Sequence, residues 1–133
     1  MPPHSVRAVA IALDAPVKWV DNVLSHHLVP GVTRSARGVD RELDDVGLLV
    51  LALARYLAMD LGVPLALGTR IASRIASDVH VGEIVHRHSL PSGLVLEVPV
   101  AAIGRRTRER LVDAAEAVAH IRRGRPAARF DNE

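Results

Sequence analysis

"SVRAVAIALDAPVKWVDNVLSHH", residues 5 to 27, decides how this chain is read. Two apolar patterns of helical period meet there across a short break. Val6, Val9, Ala10 and Leu13 share one helical face, and Ser5 is placed to cap it. The first helix is therefore predicted over about Ser5 to Leu13. Asp14-Ala15 interrupt it. Pro16 suits the first turn of a new helix, because its φ is preset and its missing N–H has no partner to lose there. The second helix is predicted to run to His26 or His27. Val17, Val20, Val23, Leu24 and Leu28 form its apolar stripe. Lys18, Asn22, Ser25 and His26 take the opposite face, with Trp19 at the margin. The chain holds only three aromatic rings in 133 residues, so a tryptophan at the edge of a polar face needs a reason.

Downstream lies "LVPGVTRSARGVDRELDD", residues 28 to 45. Pro30-Gly31 end the helix. Val32 to Arg34 and Val39 to Arg41 read as two short strands around a turn at Ser35 to Gly38. Asp44 can cap a third helix, Asp45 to about Asp60, with Val46, Leu49, Val50, Leu53, Leu57 and Leu61 on its apolar face. Gly62-Val63-Pro64 break the pattern before a fourth helix, about Pro64 to Ser77. "EIVHRHSLPSGLVLEVPV", residues 83 to 100, reads as a β-hairpin turning at Pro91-Ser92-Gly93. A final helix begins between Pro99 and Arg105 and runs to about Ile121; Gly104 leaves its start open. The fold class is mostly α with a small β component, α+β. Three regions follow: 1–78 with the paired helices, the strands and two supporting helices; 79–121 with the hairpin and last helix; and 122–133, a basic flexible tail.

Bulk properties narrow the classes. A chain of this length can bury a core without staples. With no cysteine there is no disulfide scaffold and no thiol nucleophile, and a reducing, cytoplasmic setting fits. No basic stretch leads into an apolar one at the start, so no signal peptide is read. The longest apolar run, Val46 to Ala54, is too short to span a bilayer, and no membrane partner is expected. Net charge is only +2, yet unevenly spread. Residues 1–41 carry five basic and three acidic groups, 42–103 four and seven, and 104–129 eight and three. Two basic ends around an acidic middle point to a polyanion. Of the 17 basic residues 16 are Arg, which codon bias alone can produce; it does not produce the clustering.

Helix, tight turn, helix and two-stranded wing are the layout of a winged helix-turn-helix. Over residues 5 to 60 the sequence resembles the DNA-binding half of MerR-type regulators. The features that carry the resemblance are the small residues of SVRAVAIALDA, the second helix PVKWVDNVLSHH, the glycine near the start of the wing and the capped helix after it. The turn lacks the family's usual glycine. The resemblance implies that the second helix enters the major groove and that the wing touches backbone or minor groove.

The residue chemistry agrees. Asn22 can bond adenine bidentately, Ser25 can read either kind of edge, and Lys18 suits guanine or phosphate; His26 completes the face. Arg34, Arg37 and Arg41 lie in the wing, and arginine suits phosphates and narrow minor grooves. Trp19 has two readings: a ring at the rim of the DNA face, or a cover for the core edge. In the tail, Arg123-Gly124-Arg125-Pro126 resembles the core of an AT-hook, in which glycine and proline keep the backbone extended on the groove floor. Arg122 and Arg129 add charge. The alternative is a plain basic tail.

Other constellations are thin. His86 and His88 share a strand face and His80 is near, but no fourth ligand is placed, so no metal and no cofactor are expected. No phosphate-binding glycine loop, serine elbow or supported carboxylate pair is present, and no enzyme is expected. The function expected is sequence-specific DNA binding by a transcriptional regulator, with the autoregulating antitoxin of a toxin–antitoxin pair as a specialised form. Its partners would be double-stranded DNA, a second copy through residues 79–121, and in the specialised form a toxin protein. The alternative is a protein-interaction adaptor that does not bind DNA.

Overall fold

The computed structural model describes residues 3–33 and 41–124, with side chains through Ala119. It is mostly helical with two small antiparallel sheets, an α+β fold. The chain opens with β1 (His4–Ser5) and α1 (Val6–Ala12). Ser5 caps α1 by accepting the Ala8 N–H at 3.1 Å. After a tight turn comes α2 (Val17–His26), with Pro16 as its N-cap. Strands β2 (Val32–Thr33) and β3 (Glu42–Leu43) follow, then α3 (Asp45–Leu61), α4 (Leu65–Asp78), β4 (His86–Ser89), β5 (Val95–Val98) and α5 (Val100–Gly124).

The first sheet has the order β1-β3-β2, all antiparallel, so its two outer strands bracket α1 and α2 in the chain. Its register sets both His4 and Val32 opposite Leu43. The second strand after α2 is thus Glu42–Leu43 among the described residues, later than the expected Val39 to Arg41. The reason is Leu43, which is fully buried and carries the strand into the core. Asp44 follows at once and caps α3, its carboxylate accepting the Gly47 N–H at 2.9 Å.

One apolar core joins the layers. Val9 and Ala12 of α1, Val20 and Val23 of α2, Leu51, Leu53 and Leu57 of α3, and Ile71 and Ile75 of α4 are buried in it. The C-terminal segment contributes Val98, Val100, Ile103, Leu111 and Ala114. α5 lies along α1, and α3 packs on α4. The second sheet is the expected hairpin, pairing His86 with Val98 and Ser89 with Val95. Among the described residues, no helix is long and apolar enough to cross a membrane.

Candidate nucleic-acid interface

The turn before α2 closes with a pair of backbone bonds. Ala15 N–H donates to Ala10 O at 2.9 Å and Asp14 N–H to Ile11 O at 3.1 Å. This closure needs a left-handed residue, usually glycine. Here Asp14 takes it, at φ 52°, and aspartate is one of the few residues with a side chain that visits this region. Arg55 of α3 then holds the turn. Its guanidinium donates to the Asp14 carbonyl at 2.9 Å and lies 5.1 Å from the centre of the Trp19 ring.

Trp19 therefore takes the second of its two readings. It is half-buried, packs against the core and lies beside Arg55, rather than standing on the exposed face of α2. The physical reason is position: one step from the apolar stripe, a large ring gains more from covering the core edge and meeting a cation than from facing water.

Lys18, Asn22, Ser25 and His26 are brought together. All four are exposed, while Val20 and Val23 of the same helix are buried. His26 Nδ1–H donates to the Asn22 carbonyl at 2.9 Å. A carbonyl can only accept, so this bond leaves Nε2 free to meet a ligand. Arg41 joins them from the residue just before β3: it donates to Ser25 Oγ at 3.2 Å and lies 3.8 Å from the Asp21 carboxylate. α2 and the segment leading into β3 are thus joined by a polar contact, and Ser25 already has a partner within the chain. Arg34 and Arg37 lie outside the described residues, as does Arg125. Arg122 and Arg123 fall in the last turn of α5, which runs to Gly124, three residues past its expected end.

Two features of this surface were not among the sequence candidates. Asp21 adds a negative charge to the exposed face, offset by Arg41. Arg70 and Arg74 of α4 line a groove with His27 and Leu28, so a second pair of cations sits beside the C-terminal end of α2. Their spacing of four residues marks them as neighbours on one helical face, but only the packing shows which element that face meets.

The histidines of the second half are engaged otherwise. His86 Nδ1 and the Glu83 carboxylate are 2.9 Å apart, and Glu83 also accepts the His80 N–H at 3.0 Å. That backbone bond, reinforced by the bond and charge of His86, holds the Glu83 carboxyl below its usual range. Among the described residues no group of three or more His, Cys, Asp or Glu side chains is arranged to hold a metal ion. No family model, curated protein or solved structure matches the chain.

Proposed function

We propose that this chain is a sequence-specific DNA-binding regulator, with α1 and α2 as a helix-turn-helix of MerR-like type and the β1-β3-β2 sheet as the base of its wing. One observation carries the reading: Lys18, Asn22 and His26 share the free face of α2 while Arg41, at the foot of the wing, reaches across to that same face. A recognition helix presents short donors and acceptors to base edges in the major groove, and its flanking cations hold phosphates. Arg41, Arg70 and Arg74 serve the second role. Trp19 serves indirectly, by fixing how α2 leaves the turn.

The C-terminal half supports a protein partner as well. Val81, Ile84, Val85, Leu94 and Val95, around and within the hairpin, are exposed. A second copy, reading the second half of a palindrome, is the partner proposed; a toxin is the partner in the antitoxin form. The adaptor reading keeps one observation in its favour, the Asp21 carboxylate on the face offered to DNA.

The test is selection from a random duplex pool at two salt concentrations. A recovered palindrome supports a sequence-reading dimer. Enrichment of A·T runs alone assigns the binding to the tail. Weak binding without enrichment, lost at moderate salt, overturns the reading in favour of the adaptor.

A further inference from the structure

A concavity that the DNA reading does not use lies beside the α1–α2 turn. It has a volume of about 300 Å³ and lies between the end of α1, α3 and α5. That volume is at the lower end of what small-molecule sites enclose. Leu13, Ala52 and Ile103 supply buried apolar lining, and Tyr56 adds a half-buried ring. Arg106 and Arg110 line it from α5.

Those two arginines are four residues apart, hence neighbours on one face, where like charges repel. The ion pairs among the described residues are His4–Asp45, Arg41–Asp21, His86–Glu83 and Arg87–Glu97, and none draws on Arg106 or Arg110. Thr107, buried between them in sequence, donates its hydroxyl proton to the Ile103 carbonyl at 2.7 Å. Charge recognition in the groove therefore falls to guanidinium groups. Three arginines, with Arg55, face two aspartates, Asp14 and Asp60, so the lining carries a formal charge of one positive unit.

We infer that this groove binds a small organic monoanion, a carboxylate with an apolar body. The carboxylate meets the paired guanidinium groups of Arg106 and Arg110, whose planar forks match its geometry. The body packs on Tyr56 and Met59, the lining's accessible apolar side chains, over the buried Leu13 and Ile103. One negative charge neutralises the lining; inorganic phosphate adds more charge against the two aspartates and has nothing to place on the apolar wall. Arg55 belongs both to this groove and to the contacts that hold Asp14 and Trp19, so occupancy acts on the turn that sets α2. That last coupling rests on the proposed DNA reading; binding itself does not.

The experiment titrates the full chain with benzoate at low ionic strength, by calorimetry and by emission of Trp19, the single tryptophan. Benzyl alcohol and inorganic phosphate are run alongside. The expected result is saturable one-to-one binding of benzoate with a change in Trp19 emission, and binding at least about tenfold weaker for the alcohol, which lacks the charge-assisted bonds. A double variant, Arg106→Gln with Arg110→Gln, loses affinity by about tenfold or more, while Arg87→Gln on the hairpin leaves it unchanged. Both replaced arginines are exposed, and circular dichroism checks that the variant is folded; Arg110→Lys, which keeps charge but not the fork, falls between. No saturable benzoate binding, equal binding of the alcohol or phosphate, or an unaffected double variant overturns the inference. DNA binding is measured on the same preparations: DNA bound without benzoate fails the groove alone, and benzoate bound without DNA fails the DNA reading alone.

Discussion

Gly31 shows how narrow the tolerance of single positions is. It holds φ at 82°, and a Cβ there would run into the Asp44 carboxylate and stand 2.6 Å from the Gly47 nitrogen. Its own carbonyl accepts the Asp44 N–H at 2.8 Å. Gly31→Ala should thus cost about 1 kcal/mol for the left-handed backbone and about 1 kcal/mol more for the displaced helix cap. Urea denaturation checks this; an unchanged midpoint would show that the turn relaxes freely. Asn22 is the opposite case, exposed and without a packing duty. Asn22→Ala should leave stability intact and relax preference at one base position by about 1–3 kcal/mol. Equal losses on selected and random duplexes would count against base readout. The polar character of this face was legible from spacing alone. The place of Trp19 was not, because its partner Arg55 comes from another helix and spacing along α2 says nothing of it.

At the scale of elements, length governed what could be read. Helices α1 to α4 match their expected spans within a residue or two, because caps and periodicity are local. Strand β1 was not expected at all: two residues cannot show alternation, and its pairing with β3 joins distant parts of the chain. Leu28 was expected on the stripe of α2 but is 95% exposed. The helix ends at His26, the chain turns, and Val29 takes the buried place instead. The second hairpin carries its own pH dependence through Glu83. Its carboxyl titrates lower when folded, chiefly through the His80 N–H bond. That contribution to stability is fully present above the usual carboxylate range and is lost as pH falls through the lowered value. Glu83→Gln should therefore flatten the acid side of the stability curve. Acid slopes identical to the parent protein would place that dependence elsewhere.

For the whole molecule, α5 matters most. It closes the core against α1 and carries the groove's Arg106 and Arg110 and, in its last turn, Arg122 and Arg123. Removing residues 122–133, with four arginines and two acidic groups, should weaken binding to all duplexes alike. The salt slope should fall by up to about 0.9 for each phosphate that the tail no longer neutralises. An unchanged slope would make the tail a passenger. A dimer through the second half is checked by light scattering on the eluting protein, where a clean monomer at micromolar concentration would sink it. The sequence by itself determined helices α1 to α4, the Ser5 and Asp44 caps, the hairpin of His86 to Val98 and the polar face of α2, since each depends on neighbours within a few residues. Tertiary structure alone decided that β1 completes the first sheet, that Arg41 crosses to Ser25, that Arg55 holds Trp19 and the turn, and that α1, α3 and α5 enclose a groove. Those pairings join residues far apart in the chain, and burial against a shared core, not local periodicity, selects them.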